Sequence, residues 1–117
     1  MIGNDIIDIN LFEKETNWER PNFLQKIYTE KEQSQILQSN APEILVAIFW
    51  AMKEACYKAH QRKFSLPRKY NPSAYECVLN DVKSKDAFFG NVKISEQYYS
   101  AEIVKTDNYI HCVVKDP

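Results

Sequence analysis

The sequence predicts an α+β fold in which an N-terminal strand is followed by helices and then by antiparallel strands. Three observations predict this class. The β-branched run at residues 2–9 predicts a first strand, residues 40–61 carry a helix start signal and a helical apolar stripe, and β-type runs fill the chain after residue 74. With 117 residues, the chain is long enough for one domain with a real core, which we expect residues 1–117 to form.

The composition excludes several classes of protein. Hydrophobic residues make up 44% of the chain, which excludes a disordered protein. No apolar run reaches the roughly 18–20 residues that span a bilayer, and the N-terminus lacks the features of a secretory signal, so we expect no membrane partner. The three cysteines are scattered and odd in number. They fit neither a disulfide framework nor a zinc site, which favours a reducing, cytoplasmic environment.

Two helices are predicted in the first third of the chain after the strand. Residues 21–28 are typical of a short helix. Thr29 and Glu32 have the spacing of a capping box, in which the threonine side chain binds the backbone of the glutamate and the glutamate reaches back. A helix of about two turns is therefore expected to end near Leu37.

A long helix is predicted next. Asn40 is expected to cap it, with Pro42 in the first turn and Glu43 near the positive end of the helix dipole. We expect this helix to end near Gln61, because the two prolines of residues 66–73 interrupt regular structure.

The last part of the chain contains four strand-like runs. They cover residues 75–79, 88–94, 98–105 and 109–115. A turn at residues 106–108 separates the last two runs, so we expect them to form a hairpin.

The long helix is apolar on two sides. One stripe forms the expected core face: Leu45, Ile48, Phe49, Met52, Cys56 and Ala59. Glu54 and Lys58 fall on the opposite side, which also holds Ala47, Trp50 and Ala51. Both sides are therefore expected to be covered up to about Met52, and Glu54 and Lys58 to lie at the wall of a cleft. An intrahelical Glu54–Lys58 ion pair, worth roughly 0.2–0.5 kcal/mol, is the alternative.

Charge is unevenly distributed along the chain. The formal net charge is −1, yet residues 58–70 carry five basic residues and no acidic one. One short basic segment suggests a local anionic ligand rather than a surface built for nucleic acid. A solvated basic loop is the alternative.

Two sequence blocks carry a family resemblance. The first is Gly3-Asn4-Asp5 in the β-branched run, and the second, with its glutamate 49 residues after Asp5, contains Trp50, Lys53, Glu54, Ala55 and Lys58. Together they resemble the signature of the 4′-phosphopantetheinyl transferase superfamily, and the chain resembles its small holo-acyl-carrier-protein synthase type. Residues 23–32 also look like the segment that these proteins carry between the blocks. The resemblance implies the α+β fold of this superfamily.

The resemblance also implies a reaction. The family transfers 4′-phosphopantetheine from coenzyme A to a serine of an apo acyl carrier protein and releases adenosine 3′,5′-bisphosphate. Attack on a diphosphate needs positioning and charge neutralisation more than covalent catalysis. By resemblance, Asp5 and Glu54 bind Mg²⁺, which prefers oxygen ligands, Lys58 lies over the diphosphate, and Glu54 takes the serine proton. Lys53 also matches the motif, with a structural or a phosphate-binding role open.

Further residues are candidates for coenzyme A or for the metal. Arg62 belongs to a basic group that is a candidate to bind the 3′-phosphate of coenzyme A or an acidic carrier protein. The other members of the group are Lys63, Arg68 and Lys69. Lys105 occupies a position where the family often has a histidine near coenzyme A. His60 either approaches a phosphate or ends the long helix, and His111 is expected to be a half-buried packing residue. Asp8 either assists the metal or caps the following helix.

The sequence departs from the family in two places. The glycine-rich turn that usually follows the second block is absent from residues 60–73. Basic residues that the resemblance implies for carrier docking are replaced by Leu11, Asn22 and Ile48. An inactive relative that binds coenzyme A or a carrier protein is therefore the main alternative.

Two further expectations concern partners. An RNA-binding module that stacks bases on Tyr57, Phe64 and Tyr70 is a remote alternative, since the chain is not uniformly basic; we expect no nucleic-acid partner. The resemblance also implies a possible homotrimer with the site between subunits.

Overall fold

The structure is a computed structural model that describes the backbone of residues 1–116 and their side chains, except those of residues 81–84. The helices are α1 (Ile9–Glu15), α2 (Phe23–Ile27), α3 (Glu30–Gln38) and α4 (Pro42–Phe64). The strands are β1 (Ile2–Asp8), β2 (Glu76–Ser84), β3 (Ala87–Ile94), β4 (Gln97–Lys105) and β5 (Tyr109–Lys115). A short 3₁₀ helix, Pro72–Ala74, precedes β2. The predicted α+β class and element order are confirmed.

One antiparallel sheet contains all five strands in the order β1-β5-β4-β3-β2. The first strand therefore lies at an edge, beside the last strand of the chain. Asp5 is opposite Cys112 in the register, and Ile6 is opposite His111. The predicted hairpin joins β4 to β5, and its turn is closed by a 2.8 Å hydrogen bond from the Thr106 backbone N–H to the Tyr109 carbonyl.

The core lies between one face of the sheet and α4. Alternation along β1 points Gly3, Asp5 and Ile7 towards α4, because successive side chains of a strand point to opposite faces. Both sides of α4 are covered, as predicted: Met52 and Cys56 are buried on one side and Ala47 and Ala51 on the other. None of the described helices is both long and apolar enough to cross a membrane.

The N-terminus of α3 has the predicted capping box. The Thr29 hydroxyl accepts a 3.2 Å hydrogen bond from the Glu32 N–H, and the Glu32 carboxylate accepts a 2.8 Å bond from the Thr29 N–H. Asp8 caps α1 in a similar way, because its carboxylate accepts a 3.1 Å bond from the Leu11 N–H.

The predicted cap of α4 is wrong. Ala41, not Asn40, occupies the N-cap position, and no side chain caps this helix. The Ser39 hydroxyl accepts a 3.0 Å hydrogen bond from the Ala41 N–H, and this local turn moves Asn40 out of the capping position. At its other end, α4 continues past Gln61 until Ser65 adopts a left-handed conformation with φ of 51°.

We expect the substitution Ala41→Asp to stabilise the protein. Ala41 has no side-chain acceptor at the N-cap position. A carboxylate there can accept a hydrogen bond from the first turn of α4 and is stabilised by the positive end of the helix dipole. The free energy of unfolding in urea is expected to rise by about 0.5–1 kcal/mol. Asn40→Ala is the matched control and is expected to change little, since Asn40 is exposed and does not cap the helix.

Candidate active site

The candidate site lies where β1 approaches α4. A Cβ atom at Gly3 would lie 2.1 Å from the Ala55 carbonyl oxygen and 2.9 Å from the Ala59 nitrogen. Any larger residue would therefore force the strand away from the helix. Asp5, two residues further on the same face of β1, is consequently held against α4.

Lys58 joins the strand to the helix. Its ammonium group donates hydrogen bonds of 3.1 Å to the Asp5 carboxylate and of 3.1 Å to the Asn4 carbonyl oxygen. The Asp5 side chain is 17% exposed and the Lys58 side chain 48%. The alternative intrahelical pair with Glu54 does not occur among the ion pairs of the described residues.

Glu54 lies one turn before Lys58 and is half-buried. Burial raises the pKa of its carboxyl group, the nearby charge of Asp5 raises it further, and Lys58 opposes both effects. Burial also raises the pKa of Asp5, against the lowering effect of its hydrogen bond with Lys58. No hydrogen bond of the described residues holds the Glu54 carboxylate. Two carboxylates whose charges repel each other thus lie near one ammonium group, which is bonded to Asp5 and not to Glu54.

This donor set fits a hard divalent cation. Mg²⁺ is usually held by one or two carboxylates, with water and substrate phosphates as its remaining ligands. Asp5 and Glu54 supply two carboxylates, and the raised pKa values indicate that additional positive charge would be favourable there. The described part of the chain contains no group of three or more His, Cys, Asp or Glu residues that could hold a metal by itself. Asp8 is engaged as the cap of α1.

The other basic candidates are dispersed. Arg62 continues the face of Lys58 and donates to the carbonyl oxygens of Ile2 and, at 3.2 Å, of Lys58. Lys63 instead pairs with Asp116 at 3.0 Å. Arg68 and Lys69 are exposed in the segment that follows α4.

Neither His60 nor Lys105 joins the carboxylates. His60 is buried, its Nδ1 lies 2.8 Å from the Tyr99 hydroxyl, and its burial lowers its pKa. The Lys105 ammonium group donates to the carbonyl oxygen of the adjacent Thr106 at 3.4 Å. His111, expected to be half-buried, is exposed instead on the face of the sheet away from α4.

The positions that depart from the family's docking charges differ in exposure. Leu11 is exposed on α1, and Asn22 is the residue before α2, in a left-handed conformation with φ of 68°. Ile48 is buried in the core and is unavailable to a partner. The side chain of Arg20 lies over the Phe23 ring, 5.3 Å from its centroid.

Sequence reasoning missed the surroundings of Glu54. Tyr70 lies against Tyr57, with 4.6 Å between ring centroids, and Tyr57 follows Glu54 by three residues on α4. The pKa of Tyr70 is raised mainly by burial, and the charge of Glu54 contributes. Tyr70 therefore packs on α4 about one turn from Glu54. Nothing local predicts this, because the contact depends on how residues 65–75 fold back on α4.

The junction that carries the carboxylates is open to solvent at Lys58, whose side chain is 48% exposed. Three open grooves on the described surface have volumes of about 310, 380 and 200 Å³. Other residues line all three grooves. Glu54 is half-buried at this junction, and the position of Glu54 and Lys58 at the wall of a cleft stays a prediction.

Comparison with known proteins decides the family. A family model described as the 4′-phosphopantetheinyl transferase superfamily matches residues 1–114. The chain belongs to this superfamily. The holo-[acyl-carrier-protein] synthase of Mycoplasmoides gallisepticum is 33% identical to this transferase over 86 residues, which cover 68% of this chain and 75% of that protein. The resemblance drawn from the two sequence blocks is confirmed.

Solved structures share the fold of the transferase. Helicobacter pylori holo-[acyl-carrier-protein] synthase in complex with coenzyme A has a TM-score of 0.68 at 22% identity, with both chains fully covered. An apo-ACPS structure from Chronobacterium ammoiniagenes has a TM-score of 0.72 at 16% identity and covers 97% of this chain and 93% of that one. The Thermotoga maritima holo-[acyl-carrier-protein] synthase scores 0.66 at 16% identity, covering 97% of this chain and 60% of that one.

We expect Glu54→Gln to stabilise the metal-free transferase at neutral pH. Because the folded-state pKa of Glu54 lies above its unfolded value, stability is lost as the pH rises from about 4.3 through the folded-state pKa. The variant is therefore expected to melt about 2–4 °C higher at pH 7 and equally at pH 4.

Thermal melts in the presence of a chelator measure this difference. Glu96→Gln is the control, since Glu96 is exposed in the turn between β3 and β4 and is expected to change the melting temperature little at either pH. A Glu54→Gln variant that melts below the wild type at pH 7 would contradict the unfavourable charge at this site.

Proposed function

We propose that this transferase moves 4′-phosphopantetheine from coenzyme A to a serine of an apo acyl carrier protein, with Mg²⁺, and releases adenosine 3′,5′-bisphosphate. The observation that carries the proposal is that Asp5, Glu54 and Lys58 converge at one junction. Glu54 and Lys58 come at least 49 residues after Asp5 in the sequence. The relative named as a holo-[acyl-carrier-protein] synthase supports the carrier protein as substrate, and the Helicobacter pylori complex supports coenzyme A.

Each of the three residues has a role in the proposed reaction. The Glu54 carboxylate accepts the proton of the serine hydroxyl. Its pKa is raised, so it lies closer to neutral pH than the pKa of a free glutamate, which suits a general base. The serine oxygen forms a bond to the phosphorus that bears pantetheine. The bond from this phosphorus to the bridging oxygen breaks, and that oxygen leaves with the adenosine bisphosphate. Lys58, half-exposed and cationic, neutralises charge on the diphosphate.

Asp5 and Glu54 are the proposed metal ligands. Mg²⁺ bound there would supply positive charge to the phosphate oxygens and orient the diphosphate. The carboxylates contribute two oxygen donors, and Lys58 holds the Asp5 oxygen in place from the helix side. No hydrogen bond from the described residues competes for Glu54, so it can serve as ligand or as base.

Coenzyme A is expected to lie along the face that carries Lys58 and Arg62. These side chains are on successive turns of α4, which is the spacing that suits two phosphate groups of one ligand. The contact of His60 with Tyr99 argues against a direct role of His60 in coenzyme A binding. Lys105 remains a candidate only if another part of the assembly brings it to the ligand.

A second copy of the chain is proposed to complete the site. The face of the sheet away from α4 exposes Ile6 at 61% and Val104 at 52%, on either side of His111 in one row of the register. Ile2 and Tyr109 are also exposed on this face. Burying such a surface favours self-association, and we propose the homotrimer that the family resemblance implies. The open junction at Glu54 supports a site that one chain leaves incomplete.

We propose a cytoplasmic location for the enzyme. Cys56, Cys77 and Cys112 are free and buried, and burial raises the pKa of Cys56 and Cys112 to about 12. Unreactive thiols of this kind need no oxidising compartment. We also propose that residues 1–117 act as one domain.

Mass spectrometry of an apo acyl carrier protein tests the reaction. Incubation with the enzyme, coenzyme A and Mg²⁺ is expected to add one phosphopantetheine group to the carrier. Glu54→Ala is expected to lower the rate at least about 100-fold, the usual contribution of a general base, and chelation to abolish it. Glu43→Ala, on the first turn of the same helix, is the matched control and is expected to retain activity. Coenzyme A binding without transfer to several carriers would instead identify an inactive relative.

Light scattering tests the assembly. The wild-type chain is expected to have the mass of three copies, and Ile6→Lys to shift the mass to one copy, because a charge on the exposed sheet face opposes its burial. Leu37→Lys places the same charge on an exposed residue of α3 and is the control. A wild-type chain that is monomeric at high concentration and still transfers phosphopantetheine would contradict both the assembly and the proposal that a second copy completes the site.

A further inference from the structure

A second ion pair lies next to the proposed site, inside the core. The Lys53 ammonium group is 2.8 Å from the Glu32 carboxylate, and both side chains are 0% exposed. Removing two charges from water is costly unless the pair is completely hydrogen-bonded. A buried pair of this kind therefore needs a network of further partners.

The structure contains that network. Lys53 also donates to the carbonyl oxygens of Pro72, at 3.1 Å, and of Tyr75. One carboxylate oxygen of Glu32 accepts the Thr29 N–H of the capping box at 2.8 Å, and the other accepts the N–H of Cys77. All three ammonium protons and both carboxylate oxygens are thus engaged.

Three of these partners belong to one stretch of chain. Pro72, Tyr75 and Cys77 lie in residues 72–77, which lead from the 3₁₀ helix into β2. The partners are backbone atoms, so the ion pair fixes the path of the chain rather than one side chain. Lys53 and Glu32 therefore hold residues 72–77 against α4 at the turn of the helix that carries Glu54.

The held segment carries the aromatic surroundings of Glu54. Tyr75 lies 6.4 Å from Tyr57 and 5.7 Å from Tyr70 between ring centroids. Tyr70 in turn lies on Tyr57, three residues after Glu54. The cluster of Tyr57, Tyr70 and Tyr75, which we call the tyrosine wall, borders the candidate site on this side. Its rings pack on one another rather than standing free for base stacking.

We propose that Lys53 and Glu32 are positioning residues, which hold residues 72–77 so that Tyr70 forms the wall of the site beside Glu54. The wall limits water at the carboxylate and narrows the space in which the serine hydroxyl and the phosphorus meet. This kinetic consequence rests on the proposed function, whereas the structural link between the ion pair and the segment does not.

Hydrogen–deuterium exchange tests the structural link. In Lys53→Met, peptides covering residues 70–77 are expected to exchange at least about tenfold faster than in the wild type, while peptides of β4 and β5 stay unchanged. Lys14→Met is the matched control, since Lys14 is exposed on α1 and lies outside the ion-pair network. Glu32→Gln keeps the side-chain shape and replaces Lys53→Met if that variant fails to fold. Wild-type protection of residues 70–77 in a folded variant would overturn the proposal.

A double-mutant cycle tests the link to the reaction. Lys53→Met and Tyr70→Ala are each expected to lower kcat at least about tenfold and to change KM for coenzyme A less than about threefold, because Lys58 still contacts the phosphates. The double variant is expected to be no slower than the slower single variant. If the loss of kcat in the double variant is instead the product of the two single losses, Lys53 does not act through Tyr70 and the proposal is overturned.

Two controls separate the possible failures. Tyr70→Phe keeps the ring of the wall and is expected to have a kcat near that of the wild type; a defect as large as that of Tyr70→Ala would overturn the role of the ring. If the wild type transfers nothing, the proposed function fails, while the exchange experiment still decides whether the ion pair holds the segment.

Discussion

The close approach of β1 to α4 is the constraint on which the site depends. Gly3 makes it possible, because a Cβ atom there would overlap the backbone of the helix at Ala55. The approach has two consequences. It brings Asp5 within 3.1 Å of Lys58, and it lets Lys58 and Arg62 donate to carbonyl oxygens of the exposed edge of β1. The same side chains thus join the sheet to the helix and supply the positive charge of the site.

Two of the ion pairs of α4, those of Lys53 and Lys58, differ in burial and in hydrogen bonding. The pair of Lys53 and Glu32 is fully buried, and each of its polar atoms has partners. The pair of Lys58 and Asp5 is partly exposed and leaves Glu54 beside it without a hydrogen bond. A complete network resists change, whereas an incomplete one with excess negative charge favours a cation or a cationic ligand. The charge of Glu54 therefore lowers the stability of the fold, whereas the hydrogen-bonded pair at Lys53, one residue away, does not leave a charge without partners.

Local signals explain which parts of the fold could be predicted. The capping box at Thr29, the proline at the start of α4 and the alternating strands each depend on neighbouring residues, and all were found from sequence. Contacts between distant residues were not. The predicted cap at Asn40 is wrong because the Ser39 hydroxyl accepts the hydrogen bond of the Ala41 N–H, and the local turn places Ala41 at the N-cap. The contact of His60 with Tyr99 and the partner of Lys53 could not be inferred, since 39 residues separate the first pair and no local pattern marks the second. The helical positions of Glu54 and Lys58 marked them as candidates, whereas Asp5 was connected to them only by the resemblance of two sequence blocks to those of a known family.

Helix geometry connects the buried network to the site. Successive residues of an α-helix point about 100° apart, so Lys53 enters the core while Glu54 faces the junction with β1. The backbone between them is shared and rigid. A segment that is fixed on Lys53 is therefore also fixed relative to Glu54, without any contact between the two side chains. This arrangement explains why charged residues occur in a helix that is apolar on both sides. Lys53 holds the chain that returns along the helix, and the charged residues next to it form the candidate site.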